Sequence, residues 1–262
     1  MSDFLEKIIA TKNGEVAEAY ANHELETWIR KAQNGQAVRS IWDKLASQKG
    51  MGVIAEIKKA SPSAGIIRAD FDPVSMAKSY LLGDTTAISV LTDRQWFQGD
   101  LCYLEAVRNL NGPPVLRKDF IIDPVQIYEA RAAGADLVLL IAEALDDEKL
   151  GNFTALIKSL GMEALVELHD ESNFDRVLKA GATLVGVNNR DLRTFKVDMK
   201  ATLRVAANAP PEITLVGESG IKSLTDVEEL WAAGVRMILV GETLMRSGDP
   251  VKTLREFRNV GT

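Results

Sequence analysis

The chain alternates between short apolar runs and longer stretches with helical periodicity. Eight apolar runs, rich in β-branched residues, are spread along it: VIAEI from residue 53, TAISVLT from 86, PVLRKDF from 114, DLVLLIAEA from 136, EALVELHD from 163, TLVGVNNRD from 183, ITLVGESG from 213 and RMILVGET from 236. They are apolar at successive positions, which is typical of strands buried on both faces. The pattern therefore predicts eight buried strands.

A helical stretch follows each run. Several of these stretches begin with an Asp or Ser cap, often followed by Pro, and several end on Gly: DPVSMAKSYLLG, DLCYLEAVRNL, DPVQIYEARAAG, DDEKLGNFTALIKSLG, ESNFDRVLKAG, VDMKATLRVAANA, SLTDVEELWAAG and DPVKTLREFRN. Strict strand–helix alternation predicts an α/β fold, a (β/α)8 TIM barrel over residues 51–262. The alternative is an open doubly wound sheet, but it would need distinct edge strands and a Gly-rich phosphate loop after the first strand.

Residues 1–50 precede the first strand, and their pattern predicts two or three short amphipathic helices. They carry apolar residues that a solvated tail would not need: Phe4, Leu5, Ile8, Ile9, Trp28 and Ile29. We expect a helical extension packed on the barrel. Since no Pro- or Ser-rich linker divides the chain, we expect one domain.

Composition narrows the function classes. The net charge of −6 over 262 residues argues against a nucleic-acid or anionic-membrane surface. No apolar run is long enough for a membrane helix, and the first residues lack a secretion signal. One cysteine and two histidines exclude an internal disulfide and leave little for a zinc site. We expect a cytoplasmic protein without a metal.

Charged and polar residues collect where the predicted strands end, on five strands: Glu56, Lys58, Lys118, Glu167, Asn188, Arg190, Glu218 and Ser219. In a TIM barrel the carboxyl ends of the strands carry the chemistry. Side chains two positions apart share a face, so Glu56 and Lys58 project together. Solvated loops or ion pairs that plug the barrel are the alternative. Burying so many charges without a use is costly, which favours a central pocket.

Two glycine turns suggest what the pocket holds. GESGIKS (217–223) and VGETLMRSGDP (240–250) place Gly at a strand end just before a helix. Glycine lets backbone N–H groups approach an oxyanion, and phosphate sites after strands seven and eight recur in this architecture. Tight turns with no ligand are the alternative. Lys58 and Arg190 would supply cations for a phosphate and a carboxylate.

Several motifs at these strand ends match a known family. The stretches AEIKKASPSAG, ISVLTDRQWFQG, VLRKDFIID, ALVELHDE, VGVNNRDL, VGESGI and LVGETLMR lie in register across residues 53–246, and in them the chain resembles the indole-3-glycerol-phosphate synthase family. The resemblance implies a tryptophan-pathway lyase that acts on 1-(2-carboxyphenylamino)-1-deoxyribulose 5-phosphate. It forms indole-3-glycerol phosphate, carbon dioxide and water, with no metal or organic cofactor.

The resemblance also implies roles for individual residues. Lys118 matches the general acid and Glu167 the proposed base, whereas Lys58 matches a lysine near the substrate's anionic groups that some schemes use in dehydration. The other matches are acidic residues that orient lysines and hydroxyls (Glu56, Glu218), polar substrate contacts (Asn188, Ser219, Ser61), an anion contact (Arg190), phosphate turns (Gly220, Gly241) and apolar walls (Phe97, Phe120, Leu139). Glu242 stands where some relatives have Ser, so its carboxylate must point away from a phosphate and leave binding to its backbone N–H.

Two other functions remain to be weighed. Phosphoribosylanthranilate isomerase shares the barrel and the phosphate site, but its family would want a Cys at the end of strand one, where this chain has Glu56 and Lys58. A non-catalytic phosphosugar-binding barrel would be expected to lose its acid and base first, and Lys118 and Glu167 are present. We expect a small-molecule phosphosugar-anthranilate substrate, no nucleic-acid or membrane partner, and a monomer.

Overall fold

The computed structural model describes residues 3–62, 65–68, 70–191 and 196–262. Ser63 and Ala64, which belong to the AEIKKASPSAG stretch, lie outside the described residues. The barrel strands are β1 (Gly52–Ile57), β2 (Ala87–Leu91), β3 (Val115–Lys118), β4 (Leu137–Ile141), β5 (Glu163–Leu168), β6 (Leu184–Asn188), β7 (Thr214–Glu218) and β8 (Met237–Val240).

These eight strands close into a barrel in chain order. Every neighbouring pair is parallel, and β1 pairs with both β2 and β8. The closed order confirms the TIM barrel and leaves no place for the open-sheet alternative. The run predicted from residue 136 forms a shorter strand than its apolar pattern suggested, because Ala142–Ala144 turns into a 3-10 helix.

Helices surround the barrel and precede it. They are α1 (Asp3–Ala21), α2 (Glu24–Gln33), α3 (Ile41–Ala46), α4 (Pro73–Leu82), α5 (Arg94–Phe97), α6 (Leu101–Arg108), α7 (Pro124–Ala132), α8 (Asp147–Ser159), α9 (Phe174–Lys179), α10 (Lys200–Ala206), α11 (Leu224–Ala232), α12 (Glu242–Arg246) and α13 (Pro250–Arg258). A second 3-10 turn spans Glu171–Asn173. Two short antiparallel strands of two residues each, Ala60–Ser61 and Gly65–Ile66, pair with each other.

The predicted Asp-Pro helix starts are present in the structure. The side chains of Asp72, Asp123 and Asp249 each accept a hydrogen bond from a backbone N–H in the first turn, and a Pro follows each of them. These carboxylates satisfy donors that a helix start leaves unpaired, and the negative charge suits the positive end of the helix dipole. The local sequence therefore determines where α4, α7 and α13 begin.

Two apolar cores hold the barrel together. The larger core lies between the strands and the surrounding helices, and the smaller one fills the barrel interior. The interior core includes Ile54, Leu116, Leu139, Leu165, Val216 and Leu239, all nearly inaccessible to solvent. Because side chains alternate along a strand, the same strands supply both cores.

The helices that precede β1 contact both ends of the barrel. Leu5 and Ile8 of α1 join the interior core, and Ile41 of α3 joins it as well. The indole N–H of Trp42, also in α3, donates to Glu163 Oε2 at 2.7 Å, and Glu163 is the first residue of β5. In between, α2 packs against α7. In the part of the chain that the structure describes, no helix combines the length and the apolar composition needed to cross a membrane.

Candidate active site

A cavity of about 580 Å³ lies at the carboxyl ends of the strands. All of the site residues predicted from the sequence line it: Glu56, Lys58, Ser61, Phe97, Lys118, Phe120, Leu139, Glu167, Asn188, Arg190, Glu218, Ser219, Gly220, Gly241 and Glu242. The parallel strands bring these residues together from distant points of the chain. The position agrees with the end of the barrel that carries the chemistry in this architecture.

Lys118 lies between two carboxylates on the floor of the cavity. Its Nζ is 2.7 Å from Oε2 of Glu167 and 3.2 Å from Oε2 of Glu218. The side-chain amide of Asn188 donates to Glu167 Oε1 at 3.0 Å. Strands β3, β5, β6 and β7 each supply one of these four residues, so the barrel register fixes the cluster.

The charges of this cluster change one another's proton affinity. Burial disfavours the Lys118 ammonium, but the carboxylates of Glu167 and Glu218 outweigh burial and raise the pKa of Lys118. Burial would also raise the pKa of Glu167, yet Lys118 and the Asn188 hydrogen bond lower it. For Glu218 burial dominates, and with the neighbouring Glu167 charge it raises the pKa well above the ordinary value. The two carboxyl groups therefore favour different protonation states.

Glu218 carries a polar atom that supports this assignment. Its Oε1 is buried and has no hydrogen-bond donor among the described residues. A proton on Glu218 would allow it to donate to Glu167 instead of facing it as a second negative charge. The orphaned oxygen and the raised pKa thus mark Glu218 as the carboxyl group of the pair that takes up a proton first.

Lys58 and Glu56 form a second pair at the mouth of β1. Their Nζ and Oε2 atoms are 2.5 Å apart, which confirms that residues two apart on this strand project together. Glu56 is buried, whereas Lys58 is partly exposed toward the cavity. The pair places the Lys58 side chain next to the Lys118 cluster, with the Glu56 carboxylate as its partner.

Two glycines make room for the carboxylates. A Cβ at position 186 on β6 would overlap Glu218 Oε1, and a Cβ at position 241 after β8 would overlap Glu56 Oε2. Any larger residue would push a carboxylate out of its place. Gly241 was predicted for a phosphate turn, and the structure gives it this second constraint.

One side of the cavity is apolar. The rings of Phe97 and Phe120 pack in a tilted arrangement with centroids 6.0 Å apart, and Leu139 lies nearby on the cavity wall. Phe4, Leu5 and Ile8 of α1 complete this side. The sequence indicated that α1 packs on the barrel, but it did not assign these three residues to the cavity.

The opposite side contains the two glycine turns. Ser219 and Gly220 follow β7 with φ angles of 62° and 82°, in the left-handed region. The hydroxyl of Thr243 donates to the carbonyl oxygen of Ile221 at 2.5 Å, which ties the turn after β7 to the turn after β8. Both turns therefore face the cavity as one polar surface.

Arginine side chains flank this polar surface. Glu242 Oε1 accepts a hydrogen bond from Arg246 Nε at 3.0 Å, and Glu242 Oε2 lies 3.8 Å from Arg190 Nη2. The Glu242 carboxylate is thus engaged with two guanidinium groups. Within the described ranges, no group of three or more His, Cys, Asp or Glu side chains is placed to hold a metal ion.

An ion-pair cluster beside the apolar wall was not predicted from the sequence, although one of its members, Asp119, lines the cavity. Lys12 of α1 reaches Asp93 and Asp119, and Asp119 directly follows Lys118. The RKDF motif contained Asp119, yet nothing in the local pattern indicated a partner more than a hundred residues earlier.

Solved structures with a similar backbone agree with the fold. A 3-hexulose-6-phosphate synthase from Salmonella typhimurium superimposes with a TM-score of 0.65, covering 79% of this chain and 97% of its own, at 15% identity. A thiamine phosphate pyrophosphorylase from Pyrococcus furiosus gives a TM-score of 0.59 over 79% of this chain and 94% of its own, at 17% identity. At such low identity the likeness concerns the fold alone.

Sequence comparisons are more specific. The sequence model of the family described as indole-3-glycerol phosphate synthase matches residues 5–257. An indole-3-glycerol phosphate synthase from Desulfotalea psychrophila is 47% identical over 257 residues, which cover 98% of this chain and 99% of the relative. One from Acetivibrio thermocellus is 44% identical over 258 residues, with 98% and 99% covered. The chain therefore belongs to the indole-3-glycerol phosphate synthase family.

Proposed function

We propose that this chain converts 1-(2-carboxyphenylamino)-1-deoxyribulose 5-phosphate to indole-3-glycerol phosphate, with release of carbon dioxide and water. The observation that carries the proposal is the Lys118 ammonium held 2.7 Å and 3.2 Å from two carboxylates on the floor of a cavity. A proton donor and a proton acceptor thereby face the same guest molecule. Membership of the family supports the choice of substrate.

The cavity has a separate surface for each end of this substrate. The apolar side formed by Phe97, Phe120 and Leu139 suits the anthranilate ring. The polar side, with Gly220 and Gly241 in its turns, suits the phosphate. Backbone N–H groups in such turns can approach an oxyanion closely.

Three polar residues complete the binding surface. Arg190 adds a cation on the phosphate side, and Ser61 and Ser219 supply hydroxyl groups. The Glu242 carboxylate is engaged with arginines, so its backbone N–H is the group offered to the phosphate.

Ring closure begins at the ketone. The anilino nitrogen supplies an electron pair to the ring, and the ring carbon that bears the carboxylate forms the new bond to the ketone carbon. Lys118 gives its proton to the ketone oxygen as this bond forms. Its raised pKa keeps the ammonium protonated before substrate arrives, and the developing alkoxide is a stronger base than a lysine amine, so transfer proceeds. Carbon dioxide then leaves, and its bonding electrons restore the aromatic ring.

Dehydration completes the indole. Lys58, in its pair with Glu56, gives a proton to the hydroxyl group made in the first step, and this group leaves as water. Glu167 removes a proton from the adjacent carbon, and the lowered pKa of Glu167 keeps it ionised for this task. Glu56 holds Lys58, and Asn188 holds Glu167, at hydrogen-bond distance. Each proton transfer of this kind typically contributes about 10²- to 10⁴-fold in rate.

A direct assay tests the proposal. Purified protein is mixed with the carboxyphenylamino-deoxyribulose phosphate, and formation of the fluorescent indole product is followed in time. The matched control is the same substrate with heat-denatured protein. We expect multiple turnovers per protein molecule without added metal or cofactor. Failure to form indole-glycerol phosphate from this substrate would refute the function.

A further inference from the structure

A buried lysine outside the proposed chemistry makes three ion pairs. Lys12 lies in the middle of α1 and is only 1% exposed. Its Nζ is 2.8 Å from Asp93 Oδ2, 2.9 Å from Asp119 Oδ1 and 2.9 Å from Glu15 Oε2. Asp93 and Asp119 are themselves buried, whereas Glu15 is half-exposed. None of these residues has a task in the reaction described above.

Asp93 connects Lys12 to the first ring of the apolar wall. One oxygen of Asp93 faces Lys12, and the other accepts hydrogen bonds from the backbone N–H groups of Trp96 at 2.7 Å and Phe97 at 3.1 Å. Asp93 is therefore the cap that starts α5. Without it, a four-residue helix has little to hold its first turn, because short helices are marginal on their own.

Asp119 connects Lys12 to the second ring. Its Oδ1 contacts Lys12 and accepts a hydrogen bond from the backbone N–H of Phe120 at 2.8 Å. Its Oδ2 accepts from Thr92 at 2.6 Å. Phe97 and Phe120 pack against each other in the cavity wall. The backbone N–H of each ring residue thus donates to a carboxylate that is paired with Lys12.

Further contacts join α1 to the same region. The hydroxyl of Thr11 accepts a hydrogen bond from the indole N–H of Trp96 at 3.3 Å. The ring of Phe4 meets the ring of Trp96 edge-on, with centroids 5.2 Å apart. Lys12 is the charged part of a larger contact between α1 and α5.

Removing the ammonium would leave two buried carboxylates facing each other. Asp119 would keep an ion pair with Arg117 at 3.2 Å, although Arg117 also pairs with Glu129 at 2.6 Å. Asp93 would lose the cation it shares with Asp119. Breaking a buried pair by removing one partner is strongly unfavourable, since the remaining charge is not compensated. The simplest relief is for Asp93 and α5 to move away.

We propose that Lys12 is a positioning residue for the ring end of the substrate pocket: its ammonium holds α5 and the segment after β3 together, so that Phe97 and Phe120 present one wall to the anthranilate ring. This inference rests on the proposed function. Lys118 keeps its place independently, because Glu167 and Glu218 hold it. Loss of Lys12 therefore weakens ring binding and leaves the acid in position.

The test is the substitution Lys12→Met, which keeps the length of the side chain and removes its charge. The control is Lys7→Met, which alters an exposed lysine on the same helix. We expect KM to rise about tenfold and kcat to stay within about threefold, the result for an interaction made equally in ground and transition states. Lys7→Met should leave both constants unchanged.

A second substitution separates positioning from a general loss of stability. Asp93→Asn retains the cap of α5 and removes one of the two facing charges. The double variant Lys12→Met/Asp93→Asn should therefore reverse most of the rise in KM seen in Lys12→Met. If Lys12→Met does not fold, Lys12→Gln takes its place, because an amide can still donate to one carboxylate; its KM should also rise, by a smaller factor. A KM within twofold of the parent's, a loss confined to kcat, or no recovery in the double variant would overturn the inference.

Hydrogen exchange provides a readout that needs no substrate. In Lys12→Met the amides of Trp96 and Phe97 should exchange about tenfold faster than in the parent, because their acceptor is displaced. In Lys7→Met the same two amides should exchange at the parental rate. Unchanged exchange of these amides in Lys12→Met would contradict the inference. If the parent makes no product, the proposed function fails, and the exchange rates still decide whether Lys12 holds α5.

Discussion

At the scale of single residues, the cluster around Lys118 shows how two identical side chains acquire different properties. Glu167 and Glu218 contact the same ammonium, yet the pKa of Glu167 is lowered and that of Glu218 is raised. Glu167 has the shorter contact with Lys118 and a hydrogen bond from Asn188, whereas one oxygen of Glu218 has no donor in the described part of the chain. Environments that separate two pKa values in this way are typical of acid and base pairs.

Replacing Lys118 should remove the acid. We expect Lys118→Ala to lower kcat by at least about 10³-fold, since a general acid and a charge partner of the alkoxide are lost together. The circular dichroism spectrum should remain that of the parent. Lys179→Ala, which changes an exposed lysine at the end of α9, is the control. Near-normal product formation by Lys118→Ala would contradict the assignment of the acid.

Replacing Glu167 should affect the later step. Glu167→Gln keeps the shape of the side chain but removes the base, so we expect a loss of about 10²- to 10⁴-fold. Ring closure would continue, and the hydroxylated intermediate should accumulate in single-turnover experiments. Rapid quenching followed by mass spectrometry measures it. An unchanged rate with no intermediate would count against this role.

At the scale of elements, β6 must lack a side chain where β7 brings in Glu218. Gly186 pairs with Val216 in the register of β6 and β7, and the Glu218 side chain reaches back over it, so a Cβ at position 186 would overlap the carboxylate. Strand backbones 4.7–4.9 Å apart leave little freedom for either element to retreat. The register of two strands thus sets the position of a charged group.

The effect of a methyl group at this point can be measured. Gly186→Ala should displace Glu218, lower kcat by about 10²-fold and destabilise the fold by about 1–3 kcal/mol, as overpacking does. Gly151→Ala is the matched control, because among the described residues no atom beyond its chain neighbours and the backbone of α8 lies within 4 Å of the added Cβ. It should stabilise the protein by about 0.5–1 kcal/mol, the gain for Gly to Ala in a helix. Urea unfolding and steady-state kinetics test both variants, and equal behaviour of the two would contradict the steric argument.

Much of the element level was predictable, for physical reasons that are local. Apolar runs and Asp-Pro caps marked the strands and the helices, and polar residues at strand ends marked the cavity, as Glu56 and Glu167 illustrate. Helix α5 was not predicted, since only four residues form it and its cap depends on an ion pair with α1. The cavity contacts of Leu5 and Ile8 were missed for a related reason: periodicity shows which face is apolar, not which surface it meets.

At the scale of the whole molecule, buried ion pairs link α1 to the segment that follows β3, and they make the free energy of unfolding depend on pH. Asp119 is buried, but Lys12 and Arg117 outweigh burial and lower its pKa to about 2 from the usual 3.8. A carboxyl group with a depressed folded-state pKa stabilises the fold above its unfolded-state pKa. That stabilisation is lost as the pH falls through the folded-state value.

We therefore expect part of the acid sensitivity to come from Asp119. Between pH 6 and pH 2 its protonation should remove about 2 kcal/mol from the free energy of unfolding, and Asp119→Asn should abolish that part of the decline. Asp175→Asn, an exposed carboxylate on α9, is the control and should follow the parent. Urea unfolding curves at several pH values provide the measurement. An Asp119→Asn curve parallel to the parent's would contradict the expectation.

The pairing of β1 with β8 has a consequence during translation. Gly52 is a neighbour of Met237, so one edge of β1 has no partner until β8 has left the ribosome. An unpaired strand edge is a template for association with other chains. Newly made molecules that stop short of β8 should therefore be the aggregation-prone species in the cell, and the last strand acts as the closure that protects the first.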